Sequence, residues 1–269
     1  MKNTRLLFFI LLAYCTNAAT QTVAGVDPQE YRARRQQLLT AMDSSEVLVV
    51  RAAASVARAG DVNYPYHQDE DFYYLTGCRE PGVVLLLVPA GFAVEGQTVH
   101  ELLFAPPSRT NAYTGITPGP DKLRGELGIE AALPDSRFQS LFGQILEGKH
   151  LLYLAGLSPS FINDPIAGKG YFLDRDSKKV LKDKYPGLQI KSAASLITPL
   201  RLIKSAGEVA LMQKAIDATD AALREAIKSC EPGLYEYELQ AVIEYGFLRG
   251  GCAAAPASGG HRDRPDVQA

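Results

Sequence analysis

Four polar side chains crowd one short stretch of this sequence, His67, Asp69, Glu70 and Asp71. Imidazole and carboxylates are ordinary donors for a divalent cation, so metal binding is the first chemistry to weigh. Alternate residues of an extended segment point to opposite faces, however, and these four precede the apolar Phe72 to Thr76. They read better as a polar loop entering a strand than as a ligand set. His261, Asp263 and Asp266 form a second acidic and imidazole group, in a tail without hydrophobic periodicity where no preorganised site is expected. His100 and His150 stand alone beside apolar runs and read as strand-edge residues.

Other chemistries find less support. Gly168-Lys169-Gly170 lacks the spacing and the Ser or Thr of a phosphate loop. No Gly-x-Ser-x-Gly elbow occurs, which removes that route to a serine nucleophile. Cys78, Cys230 and Cys252 are too few and too widely spaced for a disulfide framework or a zinc site. Cys78 and Cys230 are expected as small buried side chains. The aromatic group Tyr64, Tyr66, Phe72, Tyr73 and Tyr74 would suit a peptide-binding surface, although core packing is the commoner fate of such residues. Glu236, Glu238 and Glu244 read as a solvated helix face.

Composition limits what must hold these residues. At 269 residues and 46% hydrophobic, the chain can bury a substantial core in about one to two domains. A formal charge of -2, with 22% charged residues mixed along the chain, offers no basic face, so nucleic acid is not an expected partner. Residues 1–18 read as a signal peptide: Lys2 and Arg5 precede the apolar Leu6 to Ala13, with small Thr16 and Ala18 at the cleavage positions. Export to the periplasm or medium is expected. Lipidation at Cys15 is the weaker alternative, because bulky Tyr14 precedes it. No apolar run approaches the roughly 20 residues of a membrane span.

The remaining elements follow from periodicity. Asp27, Pro28 and Glu30 open an amphipathic helix carrying Tyr31, Leu38, Leu39 and Met42. Strands are expected at Glu46 to Ala53, Phe72 to Thr76, Gly82 to Val88, Leu102 to Ala105, Leu151 to Ala155 and Leu188 to Lys191. Gly82 to Val88, stopped by Pro89, has the unbroken apolar character of a strand buried on both faces. Pro106 to Pro120 reads as a surface loop, and helices are expected at Asp135 to Glu147 and Phe172 to Tyr185. The alternation describes an α/β domain with a mixed sheet over residues 19–198. A second, helix-led domain starts near 199. There Ser205 and Glu208 form a capping box ahead of the helix face Val209, Met212, Ile216, Thr219, Leu223 and Ile227. Residues 251–269 change composition and read as a disordered tail.

Two stretches resemble the Xaa-Pro aminopeptidase, or aminopeptidase P, family. Tyr66-His67-Gln68-Asp69 through Phe72-Tyr73-Tyr74-Leu75-Thr76-Gly77 and Glu80-Pro81-Gly82 looks like its N-terminal domain. Arg201-Leu202-Ile203-Lys204-Ser205, with Glu208 and Met212, resembles the opening of its catalytic domain. The resemblance implies an α/β domain followed by a pita-bread α+β domain holding two divalent ions, usually manganese. It further implies release of an N-terminal residue that precedes proline, and assembly into homo-oligomers. Two metals at a bridging water require several carboxylates and a histidine. The sequence after Gly250 offers no such ligand set, so no catalytic, metal or cofactor-binding residue is assigned. The break near Gly251 or Cys252 is what an interrupted or frameshifted reading frame would give, and the chain is expected to be inactive alone. A non-catalytic oligomerisation or peptide-binding module is the competing reading; a creatinase or prolidase relative is the weaker one.

Overall fold

A computed structural model describes residues 26–59, 62–111, 115–156, 161–164 and 169–252. Residues 1–25 with Cys15, Gly168, and residues 253–269 with His261, Asp263 and Asp266 lie outside these residues. The chain divides into two compact units, Val26–Ile203 and a second that contains residues 204–252.

In the first unit, α1 (Pro28–Ala41) starts where the Asp27 carboxylate accepts the Gln29 N–H at 2.8 Å, with Pro28 in the first turn. β1 (Glu46–Arg51) leads to the short hairpin β2 (Ala57–Ala59) and β3 (Val62–Asn63), then α2 (Glu70–Thr76). β4 (Val84–Val94) and β5 (Gln97–Ala105) pair antiparallel around Glu95-Gly96, both at positive φ as a tight hairpin turn requires. A small hairpin, β6 (Arg109–Asn111) and β7 (Gly115–Thr117), precedes α3 (Pro120–Leu127) and β8 (Ala131–Pro134). α4 (Phe138–Leu146), β9 (Leu151–Ala155), the hairpin β10 (Phe161–Asp164) and β11 (Lys169–Phe172), α5 (Leu173–Lys184), β12 (Gln189–Ser192) and α6 (Ala194–Leu202) complete the unit.

Six strands make one open mixed sheet in the order β12-β9-β1-β4-β5-β8. β12, β9 and β1 run parallel; β4 is antiparallel to both neighbours, and β8 returns parallel to β5. Leu85 and Leu87 of β4 join one apolar cluster with Leu38, Phe72, Leu75, Leu123 and Ile197 from α1, α2, α3 and α6. Leu86 and Val88 join the cluster on the other face with Phe142, Ile145 and Leu146 of α4. Gly82 to Val88 thus builds the two-faced central strand its composition predicts, each fully buried Leu contributing about 1.5–3 kcal/mol.

Four expectations are corrected. Phe72 to Thr76 is helical rather than extended: Asp69 caps the Phe72 N–H, and Gly77, at φ 67°, closes the helix with its N–H on Tyr73 O at 2.7 Å. Phe72, Leu75 and Thr76 then fall on one buried face, and that packing overrides the strand preference of aromatic residues. β4 does not stop at Pro89 but continues to Val94 through an irregular register between Leu87 and Phe92, where a residue without an N–H is tolerated. The Pro106 to Pro120 segment contains the β6–β7 hairpin, tied by Ser108 Oγ to Thr117 O at 3.0 Å. Cys230 is exposed rather than buried, because it lies just beyond the last helical turn of α7 (Ala206–Ser229).

The second unit pairs α7 with α8 (Glu236–Arg249). The Ser205–Glu208 capping box forms in both directions. The helices meet through small residues: a Cβ on Gly246 would lie 2.6 Å from Ala222 Cβ, and one on Gly250 would lie 2.8 Å from Ala218 Cβ. Val209, Met212, Ile216, Leu223 and Ile227 are exposed.

Candidate functional site

Helix α2 is the centre of the polar organisation. Its capping residue Asp69 is half-buried, and burial raises its carboxyl above the usual range against the lowering effect of the Phe72 N–H. Glu70 and Asp71, side by side in the first turn, both face Arg201: Asp71 Oδ1 accepts from Nη1 at 2.6 Å and Glu70 Oε2 from Nη2 at 3.0 Å. His67 is exposed in the preceding segment. The acidic cluster is therefore divided between a helix cap and an ion-pair network. Among the described residues, no three His, Cys, Asp or Glu side chains converge to hold a metal ion.

Gln68, between the more conspicuous His67 and Asp69, makes the contacts that hold this segment. Its Oε1 accepts the Ala53 and Asp69 N–H groups at 2.8 and 2.9 Å, and its Nε2 donates to Cys78 O and Glu80 O, each at 3.1 Å. One amide thus ties the end of β1 to both ends of the α2 region. Nothing in the local sequence separates Gln68 from its polar neighbours.

At the other end of α2 lies a buried ion pair. Arg35 Nε donates to Glu101 Oε2 at 3.0 Å, and the side chains are 0% and 1% exposed. Arg35 also donates to Leu75 O at 3.0 Å, Leu127 O at 3.3 Å and Gly128 O at 3.2 Å, so its charge sits at the C-terminal ends of α2 and α3. Gln36 Nε2 occupies the second oxygen of Glu101 at 3.1 Å. Burial works against both charges, lowering the Arg35 and raising the Glu101 value, while each partner offsets the shift of the other. A sequence signal for Arg35 does exist: it lies on the stripe Tyr31, Leu38 and Met42, where a cation needs a buried partner.

The aromatic group divides. Phe72 is buried; Tyr64 and Tyr66 are exposed; the Tyr74 ring receives the Arg34 guanidinium at 4.1 Å from its centre. His100 is half-buried in β5 with Nδ1 near Val88 O and Pro89 O, and His150 is exposed. Lys169 and Gly170 are part of β11. Glu236 is exposed, while Glu238 caps Tyr235 N and Glu244 accepts from Gln240. Cys78 is inert at neutral pH, burial pushing its thiol up to about 11.

This combination of a mixed sheet, a doubly anchored α2 and an arginine from α6 can be set beside known proteins. Residues 31–153 match the family described as "Aminopeptidase P, N-terminal domain". This segment is an aminopeptidase P N-terminal domain. The chain is 30% identical over 231 residues to the Xaa-Pro aminopeptidase of Escherichia coli strain K12, covering 85% of this chain and 51% of that protein. The structure of Pseudomonas aeruginosa aminopeptidase PepP superposes with a TM-score of 0.68 at 30% identity, covering 85% of this chain and 50% of that one. A zinc-substituted Escherichia coli aminopeptidase P in complex with product gives 0.66 at 27% identity, covering 84% and 50%. The chain thus spans about half the length of the relatives it matches, and its open mixed sheet is that of aminopeptidase P structures. No helix among the described residues is long and apolar enough to cross a membrane.

Proposed function

We propose that this chain supplies the N-terminal domain and the first helices of an exported Xaa-Pro aminopeptidase-type metallopeptidase, acting on peptides with proline second. The observation that carries the reading is the continuous 231-residue similarity to an Xaa-Pro aminopeptidase. It runs across both resembling motifs, and the α/β unit links them through Arg201, Glu70 and Asp71. Residues 204–252 would begin the pita-bread domain. Two divalent ions, manganese by family resemblance, would supply an activated water. The described residues do not fit such a centre: Asp69, Glu70 and Asp71 are committed to a helix cap and to Arg201. The 269 residues alone are therefore proposed not to cleave.

Purified chain with manganese chloride and a peptide carrying proline second should release no N-terminal residue. Release that a chelator abolishes would overturn the inactivity. Fusing residues 26–250 to the catalytic half of the Escherichia coli enzyme should give proline-dependent release; a folded but inactive fusion would count against the peptidase reading. A second reading, a non-catalytic peptide-binding or oligomerising module, draws support from exposed Tyr64 and Tyr66. It predicts a stable oligomer that binds the same peptide uncleaved.

A further inference from the structure

We propose that Glu70, Asp71, Tyr74 and Arg201 form a latch that fixes where the chain leaves the α/β unit. α6, the last element of that unit, has nine residues and contains Pro199. A proline inside a helix removes one backbone bond and crowds the preceding turn, so so short a helix needs outside support. Ile197 anchors its apolar side in the core beside Leu38 and Leu75, and the polar ties on its last turn come from α2. Tyr74 Oη donates to Leu200 O at 2.9 Å, while Arg201, in the last turn of α6, reaches Glu70 and Asp71 in the first turn of α2. Tyr74 is itself fixed, since Arg34 lies over its ring and donates to its backbone oxygen at 2.9 Å.

Both helix ends favour the arrangement. Carboxylates belong at a helix N-terminus and a cation at a C-terminus, so the latch joins charges that each backbone already stabilises. Immediately beyond it, Leu202 and Ile203 are exposed, and Ser205 caps the next helix. Closed, the latch leaves three residues, Ile203, Lys204 and the capping Ser205, between two helices. Opened, it frees the last turn of α6 and lengthens that connection. The ion pairs are partly exposed, with Arg201 38%, Glu70 71% and Asp71 28% accessible. Salt should therefore weaken them, unlike the buried Arg35–Glu101 pair. This latch holds whether or not the peptidase reading does.

Amide hydrogen exchange of the full chain tests it. In Arg201→Leu, the amides of residues 200–203 should exchange about tenfold faster, with α1 and β4 unchanged. Glu70→Gln combined with Asp71→Asn should produce the same local rise, Arg201→Lys a smaller one. Raising sodium chloride to about 1 M should move the wild type toward the variants. Slow exchange at 200–203 in both Arg201→Leu and the double variant would overturn the proposal. So would a rise shared equally by α1 and β4 in the double variant, because Arg201 would then hold the whole unit rather than its exit.

Discussion

The two ends of α2 are each held by an arginine from another helix, and the two arginines act under different physics. At the C-terminal end, Arg35 is sealed from water and bound to Glu101, Leu75 O, Leu127 O and Gly128 O. At the N-terminal end, Arg201 meets two carboxylates in partial contact with solvent. A buried pair contributes little net stability when intact, yet losing one member strands an unpaired charge; an exposed pair can open at small cost. One end of α2 is thus a fixed point of the fold, while the other can respond to its surroundings.

The largest effect is expected at the fixed end. Arg35→Met should cost about 3–5 kcal/mol in urea denaturation, because Glu101 stays buried without its cation. Combining it with Glu101→Leu should recover most of that loss, since both charges are then gone. A double variant as unstable as the single would show that the three carbonyl contacts of Arg35, not the ion pair, set the cost.

The next effect concerns Cys78, just beyond the Gly77 cap at the same end. Its thiol is pushed up to about 11 by burial, and Tyr31 and Tyr66 are pushed up to about 12 chiefly by burial. All three values are raised on folding, so the folded state binds more protons through this range. Their contribution is complete below the unfolded values and is lost as pH climbs toward the folded ones. Stability should fall between about pH 9 and 12, and Cys78→Ala should flatten the part up to pH 11 by on the order of 2 kcal/mol. An unchanged pH slope in Cys78→Ala would remove the thiol from this account. At pH 7, thiol reagents should label Cys230 and leave folded Cys78 unmodified.

How much of this was legible depends on what each residue's pattern could encode. The two-faced strand was readable because Leu85 to Val88 are apolar at every position, which only burial on both sides explains. The start of α1 was readable from Asp27 and Pro28, and that of α7 from Ser205 and Glu208, because caps are local. α2 was misread since Phe72, Tyr73 and Tyr74 carry strand preference, while its caps Asp69 and Gly77 looked like loop residues. α6 was hidden by Pro199, whose cost is offset by contacts with residues some 130 positions earlier. His67, Asp69, Glu70 and Asp71 read in sequence as a polar loop rather than a ligand set, and what that reading misses is the helix that takes Asp69 as its cap and Glu70 and Asp71 as its first turn. Gln68 shows the reverse, a side chain using its donors and acceptors at both ends with no pattern to announce it.

The smallest effect belongs to the responsive end. Tyr74→Phe keeps the ring under Arg34 and removes only the hydroxyl that donates to Leu200 O. A single neutral hydrogen bond contributes about 0.5–1.5 kcal/mol, and here the low half applies, because a carbonyl near the surface can accept from water instead. For a unit of this size that corresponds to a fall in melting temperature of roughly 1–4 °C, measurable by calorimetry. If the two ends of α2 differ as argued, Tyr74→Phe should lose several times less than Arg35→Met, and only the Arg201 contacts should weaken with salt. Equal losses would mean that Leu200 O is as closed to solvent as Leu75 O, and the distinction between a fixed and a responsive end would fail.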